Sequence, residues 1–317
     1  MNDFLPVPKA VQEAKESQKG LHWILEILVF VLVFFISTFA EGIVLVPIQL
    51  ITMFTNKEYL AAIVSRDMSR AMQLGMELST TDNMMIATLF STIMMILVVI
   101  LFCKLIQKRK ASSIGFVKKG AGIEYIKGIV AGFVLFSVAV LICVITGSLE
   151  FNGVSDTFAL SAFLLFTIGY MFQGMAEEVL CRGYFMVSVG RRYPMLAAVI
   201  LNSVAFAALH LGNPGVSVLA IVNLTLFGIF ASVCFIKTEN IWLVGAIHSV
   251  WNLVQGNVYG IKVSGMESSC TILSSTMTEG KELINGGAFG LEGGIAVTIT
   301  LVVATALLCL YKKKEAE

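Results

Sequence analysis

The chain has 317 residues, of which 57% are hydrophobic and 14% are charged, and its formal net charge is +1. Because about a quarter of the residues in a soluble domain are charged, this composition excludes a soluble globular protein and predicts an integral membrane protein. The balanced charge gives no support to a nucleic-acid partner.

Eight apolar segments are each long enough to cross the hydrocarbon core of a membrane, which takes about 20 helical residues. They cover residues 23–46, 84–103, 126–145, 158–190, 194–211, 216–236, 241–259 and 295–311. The first is too long for the apolar region of a signal peptide, so we expect it to remain as a span. The sequence therefore predicts an all-α fold, a single integral membrane domain over residues 1–317 built from about eight transmembrane helices.

The basic residues of the loops alternate from one side to the other, as the positive-inside rule requires. They concentrate in the loop after the second span, the turn after the fourth and the C-terminal tail: Lys104, Lys108, Arg109, Lys110, Lys118, Lys119, Arg191, Arg192, Lys312, Lys313 and Lys314. The loops after the third and fifth spans carry no lysine or arginine. This pattern places both termini in the cytoplasm and the loops 55–83 and 260–291 outside.

Two segments outside the spans are expected to meet the membrane surface. Residues 58–77 carry apolar side chains at helical spacing, which indicates either a helix along the outer interface or a solvated connector. Residues 112–125 carry glycines among lysines, which predicts a cytoplasmic loop that contacts anionic lipid. Membrane lipid is therefore one expected partner.

The fourth span contains the stretch GMAEEVLCRGYF at residues 174–185, which places two adjacent carboxylates and an arginine inside a membrane helix. A charged side chain near the bilayer centre costs roughly 3 kcal/mol on insertion scales. An intramembrane cluster of this kind predicts a functional site.

Helical spacing identifies the side chains that can share a face with one another, since residues four apart are neighbours on a helix. Three such pairs occur in the fourth, fifth and seventh spans: Glu178 with Arg182, Phe206 with His210, and His248 with Asn252. Glu177 lies about 100° around the helix from Glu178. If Arg182 holds Glu178, Glu177 is free to face another helix.

The depths of these residues can be counted from the turn that joins the fourth and fifth spans. Glu177 lies about 20 Å before Gly190 and His210 about 24 Å after Pro194, so an antiparallel hairpin brings them nearly level. His248 lies only about 11 Å into its own span. The three agree in depth only if the turn at residues 190–194 projects some 10 Å into the cytoplasm.

The three pairs resemble a known set of motifs. The segments AEEVLCRG, FAALH and HSVWN resemble, in order and spacing, the EExxxR, FxxxH and HxxxN motifs of the CAAX prenyl protease and bacteriocin-processing family of intramembrane proteases. The resemblance covers about residues 158–259, the expected catalytic core. It implies a multi-pass protein of a bacterial cell membrane that cleaves near the cytoplasmic side, through a site that opens from the cytoplasmic half.

The roles that the resemblance implies are those of a peptide-bond hydrolase. Glu177 and His210 would hold and deprotonate a water molecule, while His248 and Asn252 would stabilise the tetrahedral oxyanion. Glu178, Arg182 and Phe206 would support them. The substrate would be a membrane-associated peptide or protein, and prenylated CAAX proteins, bacteriocin or signal-peptide precursors and bacteriocin self-immunity all fit the family.

A metal ion is left open by the sequence. Glu177, His210 and His248 would make a His2Glu zinc set with an open position. The sequence has no HExxH motif, however, and the same residues suffice for metal-free glutamate catalysis.

Three other interpretations remain at the level of sequence. The polar residues could hold helices together in a non-enzymatic membrane scaffold or immunity protein. A transporter is less well supported, because no inverted repeat or pair of broken helices is evident. A thiol enzyme would use Cys181, which lies four residues from Glu177 on the same helix face.

Overall fold

The computed structural model describes residues 5–310, and within them the predicted all-α class is confirmed. The α-helices are α1 Lys9–Ser17, α2 Trp23–Thr55, α3 Lys57–Val64, α4 Met68–Ser79, α5 Asp82–Ser91, α6 Ile93–Leu101, α7 Ala121–Ile145, α8 Leu160–Glu178, α9 Val187–Gly190, α10 Met195–Ala208, α11 Val218–Thr238, α12 Ile241–Leu253, α13 Glu282–Asn285 and α14 Ile295–Leu310. Tyr311, the last residue of the predicted eighth span, and the lysine tail lie outside the described residues.

All eight predicted spans correspond to helical stretches that begin and end within a few residues of the expected positions, apart from the first, which runs on to Thr55. Length and composition mark four as able to cross a membrane: Trp23–Thr55, Asp82–Ile106, Ala121–Ile145 and Val218–Thr238. The helices Met195–Ala208 and Ile295–Leu310 are apolar but shorter. The remaining two stretches widen into π-helical turns, Val179–Met186 between α8 and α9, and Val254–Val258 after α12.

The loops predicted to lie inside meet at one end of the bundle, which we call the inner end. The Lys9 backbone N–H donates to Glu239 Oε1 over 2.9 Å, and the Ser112 hydroxyl contacts the Glu13 carboxylate. At the opposite, outer end, the Ser269 hydroxyl donates to Asp82 over 2.6 Å. These contacts group the loops as the alternation requires, and the side of the membrane on which each group lies stays a prediction.

The outer end carries two small substructures. Strands β1 Leu149–Val154 and β2 Leu273–Met277 form an antiparallel pair with an irregularity between Phe151 and Gly153, and neither strand was predicted. The segment 58–77 forms the helices α3 and α4, which pack on each other through a small apolar cluster. The segment is therefore helical, and its position along the outer interface stays a prediction.

Helix α12 lies against α7 and α8, and glycines allow the close approach. Gly128 and Gly132 of α7 face the backbone carbonyls of Leu243 and Ile247. On the other side, Gly174 of α8 is so close to α12 that an added Cβ would lie 2.5 Å from the Ser249 backbone nitrogen. Because the obstacle is backbone, only glycine permits this spacing.

Replacing Gly174 by alanine is expected to destabilise the protein and to separate α8 from α12. Overpacking of this kind costs about 1–3 kcal/mol, which should appear as a lower midpoint of thermal unfolding in detergent. Gly122→Ala is the matched control, because a Cβ there meets nothing within 4 Å. An equal midpoint for the two variants would contradict the close packing of α8 on α12.

Candidate active site

A buried charge cluster joins α8, the π-helical turn after it and α12. Arg182 Nη1 donates to Glu178 Oε1 over 2.9 Å, and neither side chain is exposed at all. The His248 Nδ1 lies 2.8 Å from the same Glu178 oxygen. An ionised carboxylate can only accept hydrogen bonds, so Nδ1 carries the proton that is donated to Glu178. The other ring nitrogen, Nε2, is available to groups in the cavity.

This contact also settles the relative depth of the helices. His248 contacts Glu178, although His248 lies nearer to the start of α12 than Glu178 lies to the turn at residues 190–194. The turn therefore extends further from the bundle centre than the start of α12 does. The contact agrees with the inward projection that the residue counting required, and its size stays a prediction.

Phe206 forms a wall shared by three of the motif side chains. The Arg182 guanidinium carbon lies 4.6 Å from the ring centroid of Phe206, a distance typical of a cation–π contact. The ring centroids of His210 and His248 lie 4.9 Å and 5.9 Å from it. Phe206 thus holds the helix α10 in register with the charged cluster.

Gln173 connects two of the predicted catalytic residues, and the sequence analysis missed it. Asn252 Nδ2 donates to Gln173 Oε1 over 2.9 Å, and Gln173 Nε2 donates to Glu177 Oε1 over 2.5 Å. The spacing of four residues between Gln173 and Glu177 was the available signal, the same spacing that revealed the other pairs.

The second oxygen of Glu177 is free. Glu177 Oε2 is buried and has no hydrogen-bond partner among the described residues. It lies 3.8 Å from His248 Nε2, which is too long for a direct hydrogen bond. A buried carboxylate oxygen in this state is available to a ligand or water.

The side chains of Glu177, His210, His248 and Asn252 all line one cavity of about 220 Å³. Its walls are otherwise largely apolar and aromatic, with Phe206, Phe227 and Trp251 among them. A concave apolar pocket with a few converging polar groups is the usual form of a binding site.

His210 lies beyond the end of its helix. The helix α10 ends at Ala208, and His210 follows in a turn, where its Nδ1 donates to the Phe206 carbonyl oxygen over 2.9 Å. Since a carbonyl only accepts, the neutral ring has its lone pair on Nε2. No hydrogen bond or ion pair joins Glu177 directly to His210 among the described residues, and the imidazole 3.8 Å from Glu177 is that of His248.

The residues proposed as zinc ligands do not converge. Among residues 5–310, no three His, Cys, Asp or Glu side chains lie close enough together to hold a metal ion. The Nδ1 of His248 is hydrogen-bonded to Glu178, and its Nε2 lies 3.8 Å from Glu177, a separation that two ligands of one ion can have, but His210 does not complete the set. The arrangement does not fit a His2Glu zinc centre.

The cavity extends toward the outer end of the bundle. Its lining includes Ser79 of α4 and the outer-loop residues Asn213, Ser264, Met266 and Glu292, and no described residue of the inner loops. The expectation that the site opens from the cytoplasmic half is therefore not supported by this cavity. The reason is tertiary, because the loops that follow α10 and α12 line its outer part.

Residues 159–254 match the family model described as Type II CAAX prenyl endopeptidase Rce1-like. Because of this match, we refer to residues 159–254 as the Rce1-like domain. The resemblance predicted from three motifs is thereby confirmed. Comparisons with curated proteins and with solved structures gave no significant match.

The Rce1-like domain contains all of the motif residues and contributes Glu177, Phe206, His210, His248 and Asn252 to the cavity lining. The match supports a CAAX-type intramembrane endopeptidase, and hence a hydrolase, in general. Together with the apolar helices, it supports an integral membrane protein.

Cys181 of the Rce1-like domain is fully buried in the π-helical turn and is not part of the cavity lining. A thiol nucleophile must reach its substrate. The geometry therefore gives no support to the thiol-enzyme interpretation.

The charged cluster of the Rce1-like domain can be tested by a double-mutant cycle. Arg182→Gln is expected to cost about 3–5 kcal/mol, because it leaves the Glu178 carboxylate buried with one partner fewer. Glu178→Gln in the same background should cost much less than it does alone. The measurement is the unfolding free energy of the four proteins, and additive costs would show that the two side chains are not coupled.

Proposed function

We propose that this protein is an intramembrane endopeptidase in which Glu177 and His210 activate a water molecule for attack on a peptide bond. The single observation that supports this most strongly is the free, buried Oε2 of Glu177, located in a cavity that it shares with two imidazoles and an amide. Burying a carboxylate oxygen without a partner is costly, and catalysis is a reason to retain it.

In the first step, Glu177 acts as general base and the lone pair of His210 Nε2 orients the water. The carboxylate takes one proton from the water as the oxygen forms a bond to the scissile carbonyl carbon, and the carbonyl electron pair moves onto its oxygen. In the second step, the C–N bond breaks, and Glu177 returns the proton to the departing amine nitrogen.

The oxyanion of the tetrahedral intermediate would be stabilised from α12. Asn252 uses one N–H to hold Gln173 and has a second N–H to donate, since the amide nitrogen carries two. His248, once protonated on Nε2, provides another donor. Glu178 contributes by holding Nδ1, which orients the imidazole toward the cavity.

No step of this mechanism passes through a metal ion, because the ligand set does not converge. Activity should therefore persist after treatment with a chelator.

The substrate we propose is a membrane-associated peptide or protein with an extended apolar segment. The description of the matching family names CAAX prenyl substrates, so a prenylated CAAX peptide is the first substrate to test. Two further peptides are compared with it: the same peptide without the prenyl group, and an apolar bacteriocin-type precursor peptide. The cleavage rates of the three peptides show which substrate class the protein prefers.

Glu177→Gln is expected to lower the rate of peptide cleavage by at least about 100-fold, since loss of a general base removes a contribution of this order. The measurement is cleavage of the three peptides by purified protein in detergent, with and without chelator. Glu150→Gln, an exposed substitution on β1 outside the cavity, is the control for loss of a negative charge.

Cleavage that survives in Glu177→Gln would contradict the catalytic role and favour a non-enzymatic scaffold. Loss of activity in Cys181→Ala with a normal unfolding midpoint would instead support the interpretation of the protein as a thiol enzyme. Inhibition by the chelator would show that a metal takes part.

Gln173 is proposed as the residue that positions Glu177 and Asn252. Gln173→Leu should lower kcat by roughly 10- to 100-fold with little change in KM, because small displacements of catalytic groups cost on this order. Thr167→Val is the matched control on α8, since within residues 5–310 the Thr167 hydroxyl donates only to the Phe163 carbonyl of its own helix. Equal kinetics for the two variants would remove Gln173 from the mechanism.

A further inference from the structure

A second buried carboxylate lines the cavity at its outer end. Glu292 is 8% exposed, and its Oε2 accepts two hydrogen bonds, from the Ser264 backbone N–H over 2.7 Å and from the Ser264 hydroxyl over 2.8 Å. Its Oε1 has no hydrogen bond or ion pair to any described residue. The mechanism above makes no use of this negative charge.

The backbone around Glu292 is tightly fixed. Asn223 donates from its side chain to the carbonyl oxygens of Glu292 and Gly294 over 2.8 Å and 2.9 Å, and Asn213 donates to the Ser264 carbonyl over 3.1 Å. Ser264 has a φ of 48°, a left-handed conformation that is strained for a residue other than glycine. The surrounding bonds thus hold one carboxylate oxygen of a residue that lines the cavity.

The inner end of the bundle contributes no described loop residue to the cavity lining. Helix α1 buries Ala10, Val11 and Ala14 against the loops of that end. Arg109 is 3% exposed, and its Nη2 donates to the Gly183 carbonyl oxygen over 2.8 Å, which ties the inner loop to the π-helical turn of the catalytic helix.

The outer face has a negative charge that matches a cationic ligand. The segments 56–83, 146–159, 209–217 and 259–294 together carry ten acidic and five basic residues. A surface with this excess attracts cationic groups over long distances and guides them toward the mouth of the cavity.

The apolar part of the wall lies between this face and the catalytic residues. Leu224, Phe227, Val297 and Leu301 line the cavity, and they suit apolar side chains of a bound peptide. A substrate that fills the cavity would therefore present apolar residues next to the cleaved bond and a polar group near Glu292.

We propose that the cavity receives its substrate from the outer end, and that Glu292 binds a cationic amine or guanidinium of that substrate. The ligand is a lysine or arginine side chain, or the free amino terminus, of an apolar peptide. This inference rests on the proposed peptidase function, whose site it supplies with a specificity-determining residue and a direction of entry.

The charge preference is tested with internally quenched apolar peptides and the detergent-solubilised full-length protein. One set of peptides is N-acetylated and carries lysine or glutamine, in turn, at each position on either side of the cleaved bond. A further glutamine peptide keeps its free amino terminus, so that the charge of the terminus can be distinguished from the charge of a lysine side chain. Wild type should cleave at least one cationic peptide roughly 30-fold more efficiently, in kcat/KM, than its neutral counterpart, the scale expected for one buried charge pair.

In Glu292→Gln this ratio should fall to near one, while Glu292→Asp, which keeps the charge, should retain part of it. Glu150→Gln removes a negative charge from the same face without touching the cavity, and should retain the full ratio. A wild type that cleaves all the peptides equally well would overturn the role of Glu292, whatever the folding of its variants.

The direction of entry is tested with a membrane-impermeant version of the preferred peptide and sealed vesicles of known orientation. Cleavage should occur in right-side-out vesicles without detergent, and in inside-out vesicles only after detergent is added. The reverse result, or equal rates in both, would overturn entry from the outer end. If wild type cleaves none of the peptides even in detergent, the proposed peptidase function itself fails.

Discussion

The Glu178 and Arg182 side chains are fully removed from water, and His248 donates a further hydrogen bond to the same Glu178 oxygen. Separating two such charges in a low-dielectric interior is far more costly than it is at a surface. The pair therefore constrains three segments at once: α8, the π-helical turn after it and α12. Phe206 adds α10 by covering the guanidinium. The geometry of the whole cavity depends on this one interaction.

The adjacent residues Glu177 and Glu178 face different neighbours because a helix turns about 100° per residue. Glu178 faces Arg182 and His248, and its charge is used to hold the structure together. Glu177 faces the cavity, where Gln173 occupies one oxygen and the other is free. Glycine at position 174 makes this possible, since it allows α8 to approach the backbone of α12.

The two ends of the bundle differ in what covers them. At the inner end, an amphipathic helix and a buried arginine pack on the catalytic helix. At the outer end, the loops that follow α10 and α12 fold over the cavity and contribute polar side chains to it. A helix of 14 residues such as α10 rises only about 21 Å, so its following turn lies within the thickness of a bilayer. His210 reaches the cavity for that reason.

Sequence alone determined the membrane class, the spans, the alternation of the loops and the pairs that lie four residues apart, because these depend on local composition and on the fixed geometry of a helix. Counting along the hairpin predicted that Glu177 and His210 are nearly level, and that His248 shares their depth only if the turn at residues 190–194 projects inward. Only the tertiary structure decided that His248 contacts both glutamates, that Gln173 joins Glu177 to Asn252 and that Glu292 and the outer loops line the same cavity. Those contacts depend on how each helix is rotated against its neighbours and on how the loops fold back, which close packing sets and residue spacing along one helix does not.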